Sequence, residues 1–375
     1  MKRRFPYQLV CSRGDATYSP RELINLCRAC GAPLLAQYEL SPVPELREEI
    51  QKRPATMWRY AEVLPAGDEE IVTLGEGVTP LLRSTQFPNV WIKDESKNPT
   101  RSFKSRGMAA AVSMAKALGA RSLAAPTAGN AGAALAAYGA RAGLPVFVAM
   151  PRDTPQSIID ECRSYGAEVE LVAGVITDAA KRVQQYIAAS GGFDLSTLKE
   201  PYRVEGKKIM GYELLEDLGR LPDAILYPTG GGTGLIGMWK AFDEMQRLGW
   251  IGDERPRMFT VQSSGCAPVV RAFEQGLDTA PEWESPQTSA WGLRVPRAIG
   301  DRLMLNALRQ SRGGAVAVDE AQIEDAAAAM REREGIDGGP EAGAAMLALQ
   351  TLMTNGTLTR DDTVVVFNTG GNKYR

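Results

Sequence analysis

"AILYPTGGGTGLIGMWKAF", residues 224–242, joins an apolar run to a helical pattern through a glycine-rich turn. Ala224–Tyr227 is a short apolar segment of the kind buried on both faces of a parallel sheet, and from about Leu235 the pattern becomes helical. Between them stand Gly230, Gly231, Gly232, Thr233 and Gly234. Consecutive glycines let several backbone N–H groups converge on one anion. The free N–H groups at the helix start add partial positive charge, and the Thr233 hydroxyl is a further donor. The stretch predicts a phosphate cup on a strand-loop-helix unit; the alternative is a tight turn with no ligand. It is no Walker loop, because no Lys-Ser or Lys-Thr follows, and it lacks the glycine order and acidic residue of a dinucleotide site.

The same strand-then-helix order recurs on both sides. "RSLAAPTAGNAGAALAAYGARAG" (121–143) leads from a small-residue strand into an Ala-rich helix. "LPVFVAMP" (144–151) and "AEVELVAG" (167–174) read as strands, with "TPQSIIDECRSYG" (154–166) and "TDAAKRVQQYIAAS" (177–190) as helices. After "KKIMGYELLEDLG" (207–219), a helix, the strands "RMFTVQSSG" (257–265) and "TVVVFNTGG" (363–371) continue the pattern. Such alternation predicts an α/β protein with parallel sheets flanked by helices. One long irregular segment, "APEWESPQTSAWGLRVPRAIGD" (280–301), reads either as a binding loop or lid or as a solvated excursion.

At 375 residues the chain exceeds the size at which one core keeps growing, so two lobes with a cleft are expected. A hydrophobic fraction of 44% and a net charge of −2 describe an ordinary globular protein without a field for polyanions, which argues against nucleic acid and anionic membranes as partners. No apolar run has the length of a membrane span or a signal peptide, and a cytoplasmic location is expected. The chain contains no histidine. That excludes Ser-His-Asp and Cys-His nucleophile systems and His-based metal sites, and leaves proton transfer to Lys, Asp, Glu, Tyr, Cys, water or a cofactor.

Five scattered cysteines do not make a disulfide framework. Cys27-Arg28-Ala29-Cys30 forms one knuckle of a zinc ribbon, but Gly14 stands where a fourth thiolate would complete the partner of Cys11. A structural zinc site takes four protein ligands, so the expectation is an N-terminal extension without metal, although Asp15 is a possible oxygen donor.

A phosphate site without a nucleotide-loop lysine invites a phosphorylated cofactor. In "NPTRSFKSRG" (98–107), Lys104 follows Phe103 and precedes Arg106. Pyridoxal phosphate bonds to a lysine amine that must lose its proton, and burial against an aromatic ring near other cations favours that loss. Alone, such a lysine is more often a snorkelling surface residue; together with the glycine cup it becomes a candidate nucleophile.

These motifs, with "LGEGVTPLLRS" (74–84), "EPYRVEGKKIMGYEL" (200–214), "GCAPVVRAFE" (265–274), "GLRVP" (292–296) and "FNTGGNKY" (367–374), run in order over nearly the whole chain and resemble the threonine synthases. Those enzymes belong to the pyridoxal phosphate family shaped like the tryptophan synthase β subunit, fold type II. The resemblance implies a two-lobed fold: a cysteine-containing extension over 1–45, a large cofactor domain over 46–109 and 198–375, and a small mobile domain over 110–197. It implies that Lys104 is the Schiff-base lysine, that Phe103 and Asn130 hold the cofactor ring and its phenolic oxygen, and that Gly230, Gly231, Gly232, Thr233 and Gly234 hold its phosphate. Thr369 would face the pyridine nitrogen, and Thr127 the substrate carboxylate. Thr100, Ser102, Arg106 and Lys208 are the candidates for a substrate phosphate.

The implied reaction is loss of phosphate from O-phospho-L-homoserine and addition of water to give L-threonine, by a homodimer acting on a small amino-acid substrate. A β-elimination or β-replacement enzyme would keep the same lysine, asparagine and glycine loop. Two positions depart from the common N-P-T-G-S-F-K-D-R-G pattern: Arg101 replaces its glycine and Ser105 its aspartate.

Overall fold

The computed structural model describes residues 5–372; Lys373 and Tyr374, at the end of the C-terminal motif, lie outside the described residues. Three sheets organise the chain. The first is antiparallel, in the order β2-β1-β3, from β1 (Tyr7–Cys11), β2 (Thr17–Tyr18) and β3 (Leu34–Tyr38). Its alternating burial, with Tyr7, Leu9 and Cys11 inward, is that of a half-covered sheet.

Next come β4 (Leu81–Arg83) and β5 (Val90–Asp94), the first strands of a six-stranded sheet. The chain then leaves to build a separate four-stranded parallel sheet from β6 (Leu123–Pro126), β7 (Val146–Pro151), β8 (Glu168–Val172) and β9 (Phe193–Asp194), in the order β8-β7-β6-β9. It returns through β10 (Ala224–Pro228), β11 (Arg257–Ser263), β12 (Gly314–Val318) and β13 (Val364–Asn368). The completed large sheet has the order β12-β11-β10-β13-β5-β4 and is parallel except for β4 at its edge. The central strands β10 and β13 and the small sheet's β7 are buried at every residue, which matches their unbroken apolar sequences and requires covered sheet faces.

Helices supply the cover. The one over Tyr202–Leu218 is buried through nearly all of its length and packs against the helices Lys104–Ala117 and Thr233–Arg247. Close approach is possible because glycines lie at the crossings: a Cβ at Gly237 would come 2.9 Å from the Lys208 backbone nitrogen, and one at Gly107 2.7 Å from Lys207 Cε.

Several boundaries differ from the sequence reading. The Tyr202 helix begins five residues before Lys207 because the Glu200 carboxylate accepts the N–H groups of Tyr202 (2.7 Å) and Arg203 (3.1 Å), capping its first turn. The helix after the glycine run starts at Thr233, not near Leu235. The expected division at 109/110 falls inside the helix Lys104–Ala117. Among the described residues no helix is long and apolar enough to cross a membrane.

Candidate active site

The C-terminal ends of β6, β10 and β13 meet at a cavity of about 990 Å³ between the two parallel sheets. This is where open parallel sheets bind ligands. Phe103, Lys104, Thr127, Asn130, Gly230, Gly231, Gly232, Thr233, Gly234 and Thr369 all line it, so residues from four distant stretches converge.

Lys104 opens its helix, and the residues just before it are held by those that follow β13. The Phe103 N–H donates to the Thr369 carbonyl (3.0 Å), and Ser102 forms a β-bridge with Gly370. The Lys104 amine lies 3.9 Å from the centre of the Phe103 ring. Burial pulls the Lys104 pKa down to about 7, Arg203 adds to the effect, and Glu341 opposes it. A large fraction is therefore the neutral, nucleophilic amine near neutral pH.

The glycine loop has no room for side chains. A Cβ at Gly231 would lie 2.6 Å from Thr197 Cγ2, one at Gly230 would strike the Gly292 carbonyl, and Gly232 holds a left-handed φ of 78°. Behind the loop, buried Lys207 donates to the Thr233 hydroxyl at 2.5 Å, and its amine sits 4.8 Å from the centre of the Phe103 ring. Burial, Arg203 and Lys104 together depress the Lys207 pKa well below the usual lysine range. Opposite stands the Thr127–Asn130 turn, closed by the Gly129 N–H donating to Thr127 Oγ1 (3.2 Å), with a helix starting at Asn130.

Four of the candidates for a substrate phosphate are placed elsewhere. Arg106 is wholly buried and spends its guanidinium on Glu95 (2.6 and 2.9 Å), Glu213 (2.6 and 2.7 Å) and Thr79 (3.0 Å). Burial works against its charge, yet Glu213 and Glu95 hold its pKa well above the ordinary value. Lys208 is buried between Glu205 (2.6 Å) and Glu244 (2.9 Å), over the Tyr38 ring. Thr100 bonds Ser105 (2.7 Å), and Ser102 is buried beneath the site. Thr100, Arg106 and Lys208 are thus held by protein partners, whereas the buried Ser102 hydroxyl has none; none of the four lines the cavity, where the sequence reading had set them as candidates for a substrate phosphate.

Sequence reasoning missed Lys207 and Arg203. Their i, i+4 spacing puts both on one helical face, a signal visible only once the helix start is set at Tyr202. The irregular segment 280–301 is no solvated excursion, since Trp283, Trp291, Arg294 and Arg297 line the cavity. Arg294 also reaches across to Asp153 (3.0 Å), tying this segment to the loop after β7.

The residues present fit pyridoxal phosphate. The glycine cradle, a neutral-prone lysine and the cations behind the loop suit a phosphorylated aldehyde, and the buried Asn130 Oδ1 and Tyr227 hydroxyl lack a protein partner.

Comparison with known proteins agrees. The model of the family "Pyridoxal-phosphate dependent enzyme" matches residues 72–370. The threonine synthase of Methanosarcina acetivorans is 33% identical over 372 residues, covering 97% of this chain and 91% of the relative. That of Methanocaldococcus jannaschii is 32% identical, covering 96% and 91%. Among solved structures, maize serine racemase superposes with a TM-score of 0.68 at 20% identity, covering 88% of this chain and 94% of the other. The serine racemase of Dictyostelium discoideum superposes with 0.67 at 20%, covering 85% and 98%. The two superpositions show the shared fold, that of the fold type II enzymes. With the family model spanning both parallel sheets and the glycine cup, this chain belongs to the pyridoxal-phosphate dependent enzymes.

Proposed function

We propose that the protein is a threonine synthase, converting O-phospho-L-homoserine and water to L-threonine and inorganic phosphate. The observation that carries this reading is the Lys104 amine, with a pKa near 7, in one cavity with two separate anion-favouring loops. The similarity to threonine synthases over nearly the whole chain supports it.

When bound, pyridoxal phosphate supplies the electron sink that makes protons next to the amino-bearing carbon removable. In this reading Lys104 would hold it, and its Nζ would be the base and acid that carries those protons. Asn130 and Thr369 orient the ring, and Phe103 packs against it. Gly230–Gly234 with Thr233 hold its phosphate. Thr127 and the N–H groups at the Asn130 helix start take the substrate carboxylate. With Arg106 and Lys208 fully buried against carboxylates, the cationic side chains at the cavity for a substrate phosphate are Arg297, together with Lys199 and Arg294, which are partly exposed beside Asp194 (3.5 Å) and Asp153 (3.0 Å). The segment 110–197 serves as the closing lobe, and the working unit is a homodimer.

The test is a substrate panel with the purified, cofactor-loaded protein, measuring phosphate and threonine from O-phospho-L-homoserine and 2-oxo acid from serine and threonine. Stoichiometric phosphate and threonine are expected. Oxo acid from threonine or serine without turnover of the phosphorylated substrate would replace this reading with β-elimination.

A further inference from the structure

The three N-terminal cysteines do not line the cavity, and the proposed reaction does not use them. Cys11 ends β1; Cys27 and Cys30 stand on the turn that precedes β3. Folding brings their three sulfurs within 4.8 Å of one another, with Cys11 and Cys30 3.5 Å apart. A tetrahedral zinc with Zn–S bonds of about 2.3 Å sets its sulfurs about 3.8 Å apart, so the cluster has the right size.

The fourth corner is where sequence argued against a metal. The ligand count changes once the chain turns at Gly14 (φ 80°), because Asp15 comes beside Cys11, its Oδ2 3.8 Å from Cys11 Sγ. The surroundings of Cys11 and Cys27 suit anionic sulfur. The Arg13 N–H donates to Cys11 Sγ (3.4 Å), and the Tyr18 hydroxyl accepts the Arg28 N–H (2.8 Å), leaving its own hydrogen for Cys27 Sγ at 3.3 Å. Such outer donors orient and stabilise thiolate ligands.

We propose that Cys11, Cys27, Cys30 and Asp15 form a structural site for a divalent cation of the zinc class. Three thiolates and one carboxylate favour zinc over hard, oxygen-seeking cations. Binding displaces three thiol protons to solvent and changes no oxidation state.

The site has a mechanical role. Between β2 and the Cys27–Cys30 turn lies Asn25, whose amide donates to the carbonyls of Asp194 and Lys199, both at 2.7 Å. The segment so clamped carries Ser196 and Thr197 of the cavity wall, and Thr197 abuts Gly231. The metal therefore staples the turn that braces the glycine loop from outside.

The experiment measures zinc in the full-length protein, expressed with zinc and dialysed into metal-free buffer. About one zinc per chain is expected, with at least about a fivefold loss in Cys27→Ser and Cys30→Ser and none in Cys266→Ala. Asp15→Ala should lose zinc to a competing chelator at about tenfold lower chelator concentration. Should the cysteine variants fail to fold, titrating wild type with a thiol-specific mercurial must release zinc to an indicator dye. Wild type without zinc, zinc content unmoved by the cysteine changes or the mercurial, or a Cys11–Cys30 disulfide by mass spectrometry would each overturn the site.

Discussion

Lys207 Nζ lies 2.5 Å from the hydroxyl of Thr233, so a buried amine touches the first residue of the helix that opens from the glycine run. A lysine there, with its charged form disfavoured by burial, Arg203 and Lys104, is a poor contributor to folding and gains its proton most readily beside a bound anion. Lys207→Met should weaken cofactor binding by about tenfold or more, the worth of one charge-assisted contact, while leaving the thermal midpoint unchanged or higher. Fluorescence titration of the cofactor-free protein with pyridoxal phosphate measures the first, calorimetry the second. Unchanged affinity would show that the lysine serves only the helix packing.

Lys104 should attach the cofactor covalently with a pH dependence set by its own titration. Because its folded pKa is depressed to about 7, the reactive amine is scarce below that pH and plentiful above it. The second-order rate of attachment should rise about tenfold per pH unit up to about 7 and then level. The same shift acts on stability. Between about pH 7 and the ordinary lysine pKa the unfolded chain binds the extra proton, so this group makes stability rise with pH across that window and adds no slope below it. Borohydride reduction followed by peptide mass spectrometry should place the label on Lys104 and lose it in Lys104→Ala. A rate profile flat from pH 5 to 9 would contradict the depressed pKa.

Arg106 should prove a fold residue. Arg106→Met leaves buried Glu95 without a cationic partner and Glu213 with Lys93 alone (3.0 Å), a change that costs about 3–5 kcal/mol. A lower urea midpoint is expected, together with a Michaelis constant for O-phospho-L-homoserine within about twofold of wild type in the fraction that remains folded. Arg297→Ala, at the exposed mouth, should do the reverse. A raised Michaelis constant without lost stability in Arg106→Met would return that arginine to the substrate.

Arg101 occupies a left-handed conformation, φ 54°, at the position where the resembling motif has glycine. Its ion pair with Asp337 (2.7 Å) is half exposed on both sides and contributes at most about 1 kcal/mol, whereas the left-handed backbone costs a non-glycine residue about 1–2 kcal/mol. Arg101→Gly should thus be neutral or stabilising by up to about 1 kcal/mol in urea denaturation. A loss above about 1 kcal/mol would mean the ion pair outweighs the backbone strain.

The alternation of strands and helices was readable because the strands are unbroken apolar runs and the turns carry glycine. Lys104, Asn130 and the glycine loop, each picked out by a short local motif, line one cavity. Partners distant in sequence were not readable. Nothing local to Arg106 shows that Glu95 and Glu213, from two other elements, reach it. Lys207 and Lys208 are neighbours in sequence, but a helix separates their directions by roughly 100°. One turns to Thr233 and the other to Glu205 and Glu244, and choosing between them needs the packing of the Tyr202 helix. Trp283 and Arg297 were missed because an irregular segment has no periodicity from which its inner face can be read.

Strand β13 enters the middle of the large sheet, between β10 and β5, and is the last strand in the chain to be described. A growing polypeptide can finish the small sheet, whose strands all lie between Leu123 and Asp194, while the large one still has a gap at its centre. Until Val364–Asn368 arrives, two apolar strands present unpaired edges to each other and to other chains. Synthesis in the cell thus passes through a long window in which the nascent protein is half assembled and adhesive, so its yield depends on chaperone supply and translation speed more than its finished stability would indicate.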